Sequence, residues 1–220
     1  MYSKNWIASI MRTLKNKYRA KAYSEKETPW RSLVFTLLSA RTRDEQTEIV
    51  YQKLLEKYPT PLALAKVSPK DIEPHIKNIG LYRNKSKSLS ALARVIAGQY
   101  RGHVPDDLEK LIALPGAGRK TANCVMIYAF GQPAMCVDTH VHRITNRLGW
   151  VKTANAEKTE NALRILVPKR FWLDLNRVMV QFGRTVCVPR KPKCFECPVR
   201  KWCQFPHKNL EPRTQNPKIS

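Results

Sequence analysis

The sequence predicts an all-α fold in two helical subdomains. Apolar residues recur at helical spacing along almost the whole chain, and no stretch alternates with period two for long enough to form a sheet. From Arg184 onward the pattern stops, and six of the 15 prolines fall from Pro189 to the end. With 220 residues, 43% of them hydrophobic, the chain can bury a sizeable core. No apolar run is long enough to span a bilayer, so a soluble protein without a membrane partner is expected.

The first element is an amphipathic helix with the stripe Trp6, Ile7, Ile10, Met11 and Leu14. Such a basic stripe resembles a targeting segment, but it needs a core to cover, which favours a structural helix. Further helices are expected over 29–40, 44–57, 61–66, 69–75, 84–100, 106–113, 119–130, 139–148, 155–167 and 170–183. Ser68-Pro69 and Pro105 before Asp106 mark two starts, and Pro168 closes the helix before Phe171.

Charge narrows the partner. Forty Lys and Arg against 17 Asp and Glu give a net charge of +23. Residues 1–21 and 74–105 each hold six basic side chains and no acidic one. A polyanion is the expected partner, and nucleic acid is the obvious one, because Lys and Arg release counterions from phosphates. A generally basic surface is the plainer alternative.

Cys187, Cys194, Cys197 and Cys203 form a C-x6-C-x2-C-x5-C array within 17 residues. So tight a group points to one metal centre rather than to disulfides. Four sulfurs suit either tetrahedral zinc or a [4Fe-4S] cluster, and the long first gap is unusual for zinc knuckles. The centre would stiffen the loop 187–203, rich in Arg190, Lys191 and Lys193, into a phosphate-facing surface. Cys124 and Cys136 lie in apolar surroundings and are read as ordinary buried thiols.

Leu114-Pro115-Gly116-Ala117-Gly118-Arg119-Lys120-Thr121-Ala122 joins two expected helices. The glycines allow a tight turn and a close approach of another backbone. Their N–H groups and the following helix N-terminus suit a DNA phosphate, which makes 114–120 a helix-hairpin-helix pattern. A plain helix C-cap and turn is the alternative.

Here the chain resembles the endonuclease III family of helix-hairpin-helix glycosylases. The likeness runs from Trp30-Arg31-Ser32-Leu33 through Leu38-Ser39-Ala40, Gly80-Leu81-Tyr82, the hairpin, Val137-Asp138-Thr139-His140 and the four cysteines. It implies a bifunctional DNA glycosylase and abasic-site lyase that excises damaged bases, oxidised pyrimidines among them, from double-stranded DNA. It also implies that the cysteines hold a [4Fe-4S] cluster, that Lys120 is the nucleophile and that Asp138 is its partner. Gly116, Gly118, Arg119, Thr121, Leu81, Arg41 and His140 are then expected at the DNA, with Leu81 as the wedge that fills the space of a flipped base. Ser39 and Asp44 are expected at the base pocket. The family pattern after Ser39-Ala40 often continues with Gln, whereas this chain has Arg41, which could donate two hydrogen bonds to an orphaned guanine.

The chemistry accounts for these residue types. At a pKa of about 10.4, roughly one lysine in 2,500 carries a neutral amine at pH 7, and lowering the pKa to about 8 raises that to about one in ten. Asp138 precedes a helix with the stripe Val141, Ile144 and Leu148, so it also reads as an N-cap. An ionised carboxylate there could stabilise the oxocarbenium-like sugar.

The expected organisation is a bundle over 22–133 containing the hairpin, and a second subdomain combining 1–21 with 134–220, with a DNA-binding cleft between them. A monomer is expected, in the cytoplasm at the nucleoid if prokaryotic and in the nucleus or mitochondrion if eukaryotic. Two competing readings are a monofunctional mismatch glycosylase, against which Lys120 argues, and a non-catalytic DNA-binding iron-sulfur protein.

Overall fold

In a computed structural model the described residues are 4–18, 28–40, 42, 44–206, 208 and 210, residues 4 and 44 through the backbone alone. Arg41 and the side chain of Asp44 therefore lie outside the described residues. The described residues form helices and turns with no strand among them, and no helix is long and apolar enough to cross a membrane. The chain divides into two compact units, Tyr23–Ala134 and Met1–Ala22 with Met135–Ser220.

Helix α1 (Lys4–Lys17) belongs to the second of these units. Ile7, Ile10, Met11 and Leu14 recur at i, i+3, i+4 and i+7, and all four are fully buried. At roughly 1.5–3 kcal/mol for each buried aliphatic side chain, this one face outweighs any intrinsic preference of the helix.

The unit Tyr23–Ala134 holds α2 (Pro29–Ser39), α3 (Asp44–Lys57), α4 (Pro61–Ala65), α5 (Pro69–Ile76), α6 (Tyr82–Gln99), α7 (Leu108–Ile112) and α8 (Arg119–Tyr128). The starts of α2, α4 and α5 follow one rule. Thr28, Thr60 and Ser68 each accept a backbone N–H with their hydroxyls, and proline occupies the first turn, where no donor is needed. Asp107, not Asp106, caps α7, so that helix starts later than Pro105 suggested. Helix α2 packs on α3 and α8, and α6 packs on α4 and α5. Leu33, Val34, Leu37 and Leu38 of α2 and Leu89, Leu92, Ala93 and Ile96 of α6 supply buried side chains.

Helix α6 begins two residues before the expected start. Leu81 precedes it in a left-handed conformation (φ 58°, ψ 29°), which sequence periodicity does not register.

The other unit continues with α9 (Thr139–Leu148), α10 (Ala156–Leu166) and α11 (Trp172–Thr185). Helix α11 packs on α1 and α9, and Val141, Ile144, Leu148, Met179 and Phe182 share the core with the α1 stripe. Beyond Thr185 the described chain makes only two short 3-10 turns, Cys194–Glu196 and Arg200–Trp202. Cys124 and Cys136 are buried but disulfide-bonded, not the thiols expected. Apolar surroundings accommodate either state of sulfur, so patterning alone did not separate them.

Candidate active site and cysteine loop

The hairpin between α7 and α8 is built on one glycine that sterics demand and one that they do not. Gly116 has φ +75°, and a Cβ there would lie 2.7 Å from Ser88 Cβ and 3.2 Å from Leu37 Cδ1. Gly118 is extended (φ −77°, ψ 174°), and a Cβ on it would meet nothing within 4 Å. Its missing side chain therefore leaves open space in front of α8. Gly118 is the N-cap of α8 and offers no side-chain hydrogen bond to the first turn, unlike the caps of α4, α5, α7, α9 and α10. The first-turn N–H groups of a helix have no partner within the helix, so this end suits an anion.

Arg119 and Lys120 are the first two residues of α8, and both are exposed, as are Gly116 and Gly118. Thr121, also expected at the DNA, is instead buried at 8%.

Asp138 caps α9. Its Oδ1 accepts the Val141 N–H at 2.8 Å, and the side chain is half-buried. His140, on the first turn of α9, accepts from Arg143 Nη2 at its Nδ1, 3.2 Å away. It packs so tightly on α11 that a Cβ at Gly183 would lie 2.4 Å from that nitrogen. Leu81 is 53% exposed at the turn before α6. Ser39 is half-buried, and its hydroxyl donates to the Thr36 carbonyl.

Cys187, Cys194, Cys197 and Cys203 are not disulfide-bonded, and all four line one partly open hollow. Apolar walls from Ile144, Leu148, Phe182 and Val186 complete it. Burial pushes the Cys197 thiol up to about 11 and raises Cys203 as well, with the neighbouring cysteines adding to both. Among the described residues no three His, Cys, Asp or Glu side chains are grouped so as to hold a metal ion.

Two arginines unremarked in the sequence tie this loop to α9. Arg143 Nη2 donates to the carbonyls of Gly183 and Cys187, at 3.3 and 2.9 Å. Arg147 donates to the Val188 and Pro189 carbonyls at 2.8 and 2.6 Å, approaches Cys187 Sγ at 3.5 Å, and stacks over Phe205. Lys85, one of the six basic side chains of residues 74–105, is instead buried at 6%. In a chain of +23 such residues look like more surface charge, and only their spacing from a helix end could have hinted otherwise.

The helical fold, the hairpin and the capping aspartate define a base excision DNA repair protein of the helix-hairpin-helix class, and the HhH-GPD superfamily model matches residues 34–169. Within that class the chain belongs to the endonuclease III family. It is 51% identical over 183 residues to Endonuclease III of Thermotoga maritima, covering 83% of this chain and 86% of that protein. It is 36% identical over 181 residues to Endonuclease III of Escherichia coli K12, covering 82% and 86%. A solved structure of a trapped Endonuclease III–DNA covalent intermediate superposes with a TM-score of 0.85 at 35% identity, covering 93% of this chain and 97% of that one. A thermostable thymine-DNA glycosylase does so at 0.80 and 30%, covering 92% and 95%.

Proposed function

We propose that the chain is a bifunctional DNA glycosylase and abasic-site lyase of base excision repair, acting on double-stranded DNA with oxidised pyrimidines as its lesion class. One observation carries the reading: an exposed lysine, Lys120, stands on the first turn of α8, directly after a hairpin whose helix end is left open by Gly118. A phosphate held at that end would fix the strand beside the amine.

The reaction then follows from the chain's own groups. The damaged nucleotide leaves the stack, and Leu81, exposed on its left-handed turn, fills the gap. The neutral amine of Lys120 attacks C1′. The C1′–N bond breaks, and its electron pair leaves on the base, which takes up a proton. Asp138, held by the Val141 N–H, stabilises positive charge developing on the sugar. The lysine nitrogen loses a proton, the ring oxygen gains one as the C1′–O4′ bond opens, and a Schiff base results. Loss of a C2′ proton expels the 3′ phosphate by β-elimination, and water releases the lysine. Arg41, in this reading, favours lesions opposite guanine through two donors to the orphaned base.

Four cysteines that are not disulfide-bonded line one hollow, a donor set that suits a [4Fe-4S] cluster. When bound, the cluster supplies structural cross-linking of the loop rather than reaction chemistry. The exposed Arg184, Arg190, Lys191 and Lys193 around it then face phosphates.

Borohydride trapping on duplexes carrying thymine glycol or an abasic site tests the reading, with Lys120→Ala alongside. A covalent complex with wild type alone is expected. Base release without trapping would mean water is the nucleophile; neither outcome would leave a binding protein.

A further inference from the structure

Lys85 closes the first turn of α6 with its ammonium turned inward. Nζ donates to the Leu38 carbonyl at 2.8 Å and to Thr42 Oγ1 at 2.9 Å, while its backbone N–H donates to the Leu81 carbonyl at 3.0 Å. One residue thus grips three points. Leu38 lies in the last turn of α2, where helix carbonyls lack partners and a cation is favoured. Thr42 closes the turn that follows, with its N–H on the Ser39 carbonyl at 3.1 Å. Leu81 is the exposed left-handed residue that opens α6.

A buried lysine is costly, and a methionine would fill the same volume without the desolvation penalty. Burial pushes its ammonium down to about 8, so the site pays to keep a charge there. At 6% exposure the amine cannot reach a sugar, so it is no second nucleophile.

We propose that Lys85 is a positioning residue, whose ammonium ties Leu38 at the end of α2 and Thr42 to the start of α6 at Leu81, so that these points present a single edge to the gap left by a flipped base. This rests on the glycosylase reading above. Rigid coupling matters most when a base must be extruded and held out against restacking, and least when no base is present to flip.

The test compares wild type, Lys85→Met, Leu81→Ala and the double variant in single-turnover assays. Two substrates are used: a duplex containing thymine glycol and a single-stranded oligonucleotide with an abasic site. Lys85→Met should slow base excision from the duplex by roughly tenfold or more, the scale of a lost charge-assisted hydrogen bond. It should slow cleavage of the single strand far less. Adding Leu81→Ala should then cost much less than it does in wild type, because an unanchored wedge has already lost its effect. Equal slowing on both substrates, additive losses, or unchanged duplex excision would each overturn the proposal. A fold defect would show in the far-UV circular dichroism and slow both substrates alike. If wild type itself acts on neither substrate, the glycosylase reading fails instead.

Discussion

Gly116 lies against Ser88 so closely that a methyl group on its Cα would stand 2.7 Å from the serine Cβ. That contact seats the hairpin on α6 and sets where α8 begins. Gly116→Ala must adopt φ +75° as well as displace Ser88, and the backbone conformation alone costs about 1–2 kcal/mol. A fall in melting temperature of several degrees is expected by calorimetry. Gly118→Ala should lose less, only the fraction of a kcal/mol that separates glycine from alanine at an N-cap since its Cβ meets nothing, yet bind abasic-site duplex more weakly if a phosphate approaches there. Equal melting losses for the two variants would remove the distinction between seating and approach.

Loop charge should appear in the salt dependence of binding. Arg190 is exposed next to the cysteine hollow. If it neutralises one phosphate, Arg190→Ala weakens undamaged and damaged duplex alike and lowers the slope of log K against log salt by about 0.9. Fluorescence anisotropy across a salt series measures this. An unchanged slope would mean that the loop does not meet the backbone.

In the 187–203 loop only Pro192, Cys194 and Val199 are buried, and three of the four partly buried residues packed against the core are the cysteines Cys187, Cys197 and Cys203 themselves, so its order should depend on its cross-link. Cys197→Ala is expected to give colourless protein without the yellow-brown visible absorbance of an iron-sulfur centre, to expose the segment after Thr185 to limited proteolysis, and to weaken DNA binding. Tightly bound zinc in colourless wild-type protein, found by metal analysis, would replace the cluster with a zinc site.

Much of this was legible in the sequence, because helix starts are written in local chemistry. Thr60-Pro61 and Ser68-Pro69 cap and open α4 and α5 where their types demand. The α1 stripe needed only the 3.6-residue period. What escaped was set by tertiary contact. The left-handed Leu81 moved the start of α6, the buried Lys85 and the loop-bracing Arg143 and Arg147 carried charges indistinguishable from surface ones, and His140 took its partner from a residue one turn away. Lys120 and Asp138 were named through the resemblance to the endonuclease III family, while the openness of the α8 terminus depends on a backbone conformation that residue spacing does not encode.

The depressed Lys85 ammonium carries a signature in the pH dependence of stability. Its pKa falls from 10.5 to about 8 through burial. Between those values the unfolded chain holds a proton that the folded chain has released, so this group makes stability rise with pH across that window. Below the folded value both states are charged and the burial penalty is felt in full. Lys85→Met removes the titration altogether. The unfolding free energy of wild type minus that of the variant should therefore increase between about pH 7 and about pH 9.5 in urea titrations, other titrating groups cancelling in the difference. A flat difference would mean that the ammonium is solvated and titrates as an ordinary lysine. The grip on Leu38 and Thr42 would then contribute no more than a surface hydrogen bond.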